Sequence, residues 1–258
     1  MVKVAVVQFP GSNCDLDALQ ILQKTVKVPT DLVWHKDLKH DQYDAYVLPG
    51  GFSYGDYLRA GAIAATSPSL ETIRQATDNG KPVLGICNGF QILVEARILP
   101  GAVLRNTGLR FVCKWTRLRI ESTRTPFTKQ ANKGATIRIP IAHNEGRYYL
   151  DNDQLAKLEK NEQIVLRYVD ENNVPTSDSN PNGSMDNIAG ICNEEGNVMG
   201  LMPHPERASL SVLSPDNHPE GRMIFDSMIE TLEQGRELKR DTQKSQAQVN
   251  LLVPERRR

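Results

Sequence analysis

The sequence predicts an α/β protein: an open, mostly parallel sheet with helices on both faces, carrying a mixed or antiparallel insertion. Two observations predict it. Short apolar runs rich in valine and isoleucine alternate along the chain with segments of helical period, the pattern of strands joined by crossover helices. One stretch, residues 103 to 148, breaks that rhythm with alternating segments such as WTRLRI and TIRIPIA, which read as antiparallel or mixed strands beside the main sheet.

The elements follow in order. A first strand at 2–8 leads through FPGSNCD into a helix near 15–26, whose apolar stripe is Leu16, Leu19, Ile21 and Leu22. Strands follow near 31–35 and 43–48, the second ending in PGGFSYGD. Helices are expected within 58–79. The buried strand PVLGI then runs directly into NGFQILVEARIL. Beyond the insertion come a helix near 153–160 and strands near 164–169, 188–192 and 198–202. A last amphipathic helix begins near Pro219. The economical organisation is one domain over 1–235 and a polar extension over 236–258 with a basic end.

Bulk properties exclude several classes of function. Lysine plus arginine equals aspartate plus glutamate at 31 each, so no overall field draws in nucleic acid or an anionic membrane. No apolar run approaches the roughly 20 residues of a membrane span, and MVKVAVVQF is too short for a signal-peptide core. The four cysteines are scattered, with no metal-ligand or disulfide spacing, which points to free thiols in a reducing cytoplasm.

Residues 85–89 spell GICNG, a glycine-flanked nucleophile at a strand-to-helix turn with cysteine in the central position. A lone cysteine is most often a small buried hydrophobe. Here the elbow makes Cys87 the candidate nucleophile, because the helix that follows directs its positive amino-terminal end toward the sulfur and favours the thiolate. Cys14, Cys113 and Cys192 lack that context and are read as structural, although Cys14 follows the first strand and could sit near the same cleft. The thiol needs a base, and the base an orienting group. His204, in MPHPER at a strand's carboxyl end, has Glu206 two residues on; an extended backbone stiffened by Pro203 and Pro205 would hold both on one face. Alone this string would be a surface turn. His143, in AHNEGRYY, is the rival base. Oxyanion donors are expected at the backbone N–H of Asn88 and of Gly51, the latter in a PGG string that would otherwise be an ordinary turn. Gln91, one helical turn past Cys87, could touch an amide substrate or simply lie on the helix surface. No metal site is predicted.

GICNGFQIL together with LMPHPER resembles the class I, or triad, glutamine amidotransferases, whose flavodoxin-like fold and Cys, His and Glu triad map onto Cys87, His204 and Glu206. VVQFPGSNCD, LPGGFSYGDYLRAGAIAA, AHNEGRYY, NPNGSMDNIAGICN and MGLMPHPER narrow the likeness to the glutaminase subunits of phosphoribosylformylglycinamidine synthase, over roughly residues 2–232 and in order. Asn88 departs from the apolar residue usual after the cysteine in the wider class but suits this subfamily. The resemblance implies glutamine hydrolysis with ammonia handed to a partner. It implies a large synthetase subunit that binds ATP, magnesium and formylglycinamide ribonucleotide, and a small subunit that assists assembly. No GxxxxGK[ST] loop or dinucleotide fingerprint occurs in this chain, so no cofactor is expected within it. Two other readings keep the fold: a stand-alone cysteine amidohydrolase, and a non-catalytic scaffold.

Overall fold

A computed structural model describes residues 1–252. Nine strands form one sheet. Its centre is parallel: β2 (Thr30–Trp34), β1 (Val4–Gln8), β3 (Ala45–Leu48), β4 (Val83–Ile86) and β11 (Val198–Leu201) lie side by side in that order. Val4 pairs with Thr30 on one side and Ala45 on the other, and Gly85 pairs with Leu48 and Gly200. The strands β3, β4 and β11 are buried along their whole length. Burial on both faces is why these segments are apolar throughout rather than at every second position.

Beyond β11 the sheet turns antiparallel through β10 (Ile188–Cys192), β9 (Ile164–Val169), β6 (Val112–Ile120) and β7 (Thr136–His143). Most of the expected antiparallel insertion joins the main sheet and extends it to its far edge. Only β5 (Ala102–Leu104) and β8 (Arg147–Tyr149) stand apart, as a two-stranded antiparallel ladder. β7 alternates between half-buried and buried, with Ile137, Ile139, Ile141 and His143 on the inner face. As the edge strand it tolerates Pro140, which has no N–H to give a ladder.

The helices differ from expectation in two places. The first is α-helical over Asp15–Gln20 (α1) and continues as a π-helical turn over Ile21–Val26. Leu16 is 61% exposed; the inner face belongs to Asp15, Ala18, Ile21 and Leu22, and Gln8 Nε2 donates to the buried Asp15 carboxylate at 2.6 Å. A polar partner on β1 thus holds an acid where the apolar stripe alone would have placed Leu16. Between 58 and 79 the only α-helix is α2 (Ser69–Asp78), which buries Leu70, Ile73 and Ala76. Helix α3 (Asn88–Glu95) follows β4, and α4 (Asn152–Lys160) is capped by the Asp151 carboxylate, which accepts from Gln154 N–H at 2.7 Å. The last helix, α5 (Arg222–Leu252), packs Ile224, Phe225 and Met228 into the core and runs through Gly235 without a break. Residues 253–258 of the expected extension lie outside the described residues.

Two glycines test this packing in opposite directions. A β-carbon on Gly89 would stand 2.0 Å from the Leu48 carbonyl oxygen, whereas one on Gly235 meets nothing within 4 Å. Gly89→Ala is expected to destabilise the fold by about 3 kcal/mol, and Gly235→Ala to stabilise it by up to about 1 kcal/mol through helix propensity. Denaturant unfolding of the two variants measures both.

Candidate active site

Cys87 sits between β4 and α3 with φ 50° and ψ −102°, a region that L-residues rarely occupy. Its N–H donates to the Leu201 carbonyl at 2.8 Å, extending the β4–β11 ladder by one residue. Its own carbonyl accepts from Gln91 N–H at 3.1 Å and opens the helix. Strand and helix are thus joined with no intervening loop. The thiol is 5% exposed, and Sγ lies 4.0 Å from the Ala142 carbonyl oxygen.

His204 follows β11 and is tied to the sheet's far edge by its N–H, which donates to the Pro140 carbonyl at 2.8 Å. The backbone from His204 to Glu206 is not extended as the prolines suggested. Pro205 instead opens a 3-10 turn over Pro205–Ala208, proline being well placed at a helical first position, and that turn swings Glu206 against the imidazole. Nδ1–H donates to Glu206 Oε1 at 2.6 Å, with both side chains at most 2% exposed. Burial alone works against a charged imidazole. The Glu206 carboxylate, and after it the Cys87 and Cys14 sulfurs, outweigh burial and hold the His204 proton affinity well above the ordinary range. His204 Nε2 and Glu206 Oε2 have no hydrogen-bond partner.

Cys14 does reach this cleft. Its sulfur, with one His204 nitrogen and one Glu206 oxygen, forms a group whose atoms all lie within 4.8 Å of one another. Such a set could ligate a soft cation, but Arg207 Nη2 sits 3.2 Å from Cys14 Sγ and places a positive charge against it. Burial pushes the Cys14 thiol up. Cys113 is exposed, and Cys192, buried in β10, is pushed up to about 11 by desolvation.

In front of Cys87 lies a cavity of about 330 Å³, walled by Gly51, Gln91, Arg105 and His143 and flanked by the carboxylates of Asp56 and Glu145. Gly51 follows β3 and presses so close to the 11–13 turn that a β-carbon would stand 2.7 Å from the Gly11 carbonyl. The bonds Asn13 N–H to Gly50 O and Phe52 N–H to Gly11 O flank Gly51, so its own N–H faces away from that turn and donates to no protein acceptor among the described residues. The Asn88 N–H opens α3 and has no intrahelical acceptor. The Asn88 side chain accepts from Ser53 N–H at 3.1 Å and donates to Gln91 Oε1 at 2.9 Å, and Gln91 Nε2 donates to the Glu145 carbonyl at 2.5 Å. Gln91 therefore lines the cavity with both ends of its amide already engaged; one Nε2 hydrogen and one Oε1 lone pair remain for a ligand.

His143 is not built as a base. Burial, then the charge of His204, pushes it down to about 3, and Nε2 faces Asn182 at 3.1 Å. Asp56, Arg105, Glu145 and Asn182 were not singled out from the sequence. The turn FSYGD and the string AHNEG contain two acids and an imidazole whose convergence depends on β3 and β7 ending at the same mouth. No periodicity reports that.

Two titrations follow. Glu206→Gln is expected to lower the pH at which His204 gives up its proton, read by NMR, because the carboxylate is what overcomes burial. Burial first, then Glu145, raises the Asp56 carboxyl from 3.8 to about 6. The folded acid therefore keeps its proton where the unfolded chain has lost it, and stability falls as pH rises from about 4 to about 6. Asp56→Asn is expected to raise the unfolding midpoint above pH 6 and to change it little near pH 4.

A family model described as the CobB/CobQ-like glutamine amidotransferase domain matches residues 1–236. Phosphoribosylformylglycinamidine synthase subunit PurQ of Methanosarcina mazei is 54% identical over 228 residues, covering 88% of this chain and 97% of that protein. The subunit of the same name from Thermomicrobium roseum is 56% identical over 206 residues, covering 80% and 87%. Among solved structures, one described as PurLQS from Thermotoga maritima is 44% identical, with a TM-score of 0.78 over 90% of this chain and 99% of that one. The chain belongs to the CobB/CobQ-like glutamine amidotransferase family and, within it, to the PurQ subunits of phosphoribosylformylglycinamidine synthase.

Proposed function

We propose that this chain is the glutaminase component of phosphoribosylformylglycinamidine synthase. It hydrolyses glutamine to glutamate and supplies ammonia to a partner that converts formylglycinamide ribonucleotide to formylglycinamidine ribonucleotide. The observation that carries the chemistry is the strained Cys87 elbow beside a buried His204–Glu206 pair closed at 2.6 Å.

In this reading the Cys87 thiolate attacks the side-chain carboxamide carbon of glutamine. The developing oxyanion takes the two backbone donors left without protein acceptors, Gly51 N–H and Asn88 N–H. His204, protonated at neutral pH, delivers its proton to the carboxamide nitrogen; the C–N bond breaks and ammonia leaves. The neutral imidazole then takes a proton from water, whose oxygen attacks the glutamyl thioester, and glutamate departs as the thiolate re-forms. Glu206 holds the ring in one orientation through Nδ1 and stabilises its positive charge. Gln91 pins the Glu145 segment and offers its remaining N–H to the bound amino acid.

Ammonia released into water would be protonated and lose its nucleophilicity, so an enclosed route to the acceptor is needed. The names of the relatives, one a synthase subunit and one described as PurLQS, support assembly with further subunits; in this proposal ATP and magnesium act on the synthetase partner. No helix among the described residues is long and apolar enough to cross a membrane, and all four cysteines are free, which supports a cytoplasmic site of action.

Glutamate release by the wild type and by Cys87→Ala, each with and without the synthetase subunits, nucleotide and formylglycinamide ribonucleotide, tests this function. Release is expected to depend on the partners and to fall at least about 10³-fold in the variant. Release untouched by Cys87→Ala would sink the mechanism; release indifferent to the partners would favour a stand-alone amidohydrolase.

A further inference from the structure

Two asparagines clamp the turn that carries His143. Asn106 Nδ2 donates to the His143 carbonyl at 2.9 Å, and its Oδ1 accepts from Gly146 N–H at 3.1 Å. Asn182 holds the ring itself. Its amide orientation is fixed by Ser184, whose N–H donates to Oδ1 at 3.0 Å and whose hydroxyl donates to the same oxygen at 2.8 Å. The nitrogen therefore faces the other way, donating to the Gly146 carbonyl at 2.8 Å and facing His143 Nε2 at 3.1 Å. An amide NH₂ has hydrogens to give and no lone pair to receive one. His143 Nε2 must then be the bare, accepting nitrogen.

The other nitrogen inherits the proton. His143 is 2% exposed and is neutral at physiological pH, so the ring's single N–H is on Nδ1. Nδ1 has no hydrogen-bond partner in the protein. A buried donor without an acceptor is unusual in a folded chain and calls for an occupant. His143 is one of the residues that line the Cys87 cavity.

We propose that Asn182 is a positioning residue for glutamine: by locking His143 in the neutral Nδ1–H tautomer, it makes the imidazole a fixed hydrogen-bond donor to the substrate held in the Cys87 cavity. The inference rests on the reading of that cavity as the glutamine site. A neutral donor suits the position. A second imidazolium beside His204 would compete with it for the charge of the Cys87 thiolate, whereas a fixed N–H orients an acceptor on the substrate without adding charge. His143 is thereby separated from acid–base work, although its sequence context made it the rival to His204.

The test uses the full chain labelled with ¹⁵N-histidine. The resonance of His143 is expected to show a protonated Nδ1 and a bare Nε2, and its Nδ1–H signal to shift when a glutamine-like electrophile is bound covalently at Cys87. A protonated Nε2 in the wild type, or a Nδ1–H signal indifferent to that occupant, overturns the proposal. Asn182→Asp replaces the donor with an acceptor and is expected to move the proton to Nε2. In the complex with its synthetase subunits this variant should raise the KM for glutamine about ten-fold or more, with a smaller fall in kcat. Wild-type KM in a variant whose tautomer has switched overturns the proposal. Should Asn182→Asp fail to fold, His143→Gln and His143→Phe make the comparison: glutamine can return an N–H to the cavity and should keep KM within about three-fold of wild type, while phenylalanine should not. Equal KM values for the two overturn the donor role. Failure of the glutaminase reading itself is seen separately, as glutamine hydrolysis that survives Cys87→Ala.

Discussion

Gly89 lies in the first turn of α3 so close to Leu48 that a β-carbon there would run into the backbone carbonyl of β3. The rest of the active site depends on that approach. With the helix drawn down onto the sheet, no room remains for a loop between β4 and α3, and the chain must reverse within a single residue. Cys87 is that residue, which is why it carries a strained φ of 50° and why its sulfur stands at the carboxyl edge of the parallel strands. Gly85 serves the same contact from the strand side, since a β-carbon there would stand 2.5 Å from the Leu93 side chain. The strain is sustained by the ladder bond from Cys87 N–H to Leu201 and by a helix every residue of which is buried from Asn88 to Val94.

The second requirement is electrostatic. A histidine at 2% exposure would ordinarily be neutral, because burial penalises its charged form; Glu206, fully buried and 2.6 Å away, reverses the sign. Such a pair is poor at stabilising a fold, since both partners are desolvated. It is well suited to holding one proton for delivery. Its location follows from topology: β11 is the last parallel strand, and the segment after it is tied by His204 N–H to Pro140 on β7, at the opposite edge of the sheet. The antiparallel extension thus closes over the parallel half and completes the cleft from the far side.

How much of this was legible in the sequence depended on how local each signal was. The parallel strands were readable because full burial writes itself as an unbroken apolar run, and PVLGI followed at once by NGFQIL announced the elbow. Cys87, His204 and Glu206 could be singled out as candidates because one stands in that elbow and the other two are neighbours in the chain. The backbone that joins His204 to Glu206 was misread, because proline is equally at home in an extended segment and at the start of a 3-10 turn. Leu16 was misplaced because Gln8 gives Asp15 a buried partner from another element. Asp56, Glu145 and Asn182 were invisible for the same reason: each matters through a neighbour 30 or more positions away, and neither hydrophobic period nor turn chemistry records such pairings.

Four buried polar atoms around the cleft lack partners: His204 Nε2, Glu206 Oε2, His143 Nδ1 and Asp56 Oδ1. In a core built only for stability each would be a defect, because an unpaired buried donor or acceptor loses its water without replacement. In the proposed reaction two of the four have counterparts. In the proposed mechanism Nε2 gives a proton to the leaving nitrogen and recovers one from water, and Nδ1–H of His143 is the donor offered to the substrate. A ligand that satisfies these atoms gains more than the same contact would give at a solvated surface, because a hydrogen bond is electrostatically stronger in a buried site. The unsatisfied groups and the strained elbow are thus two forms of one compromise, in which local stability is given up where glutamine, and not the protein's own side chains, completes the packing.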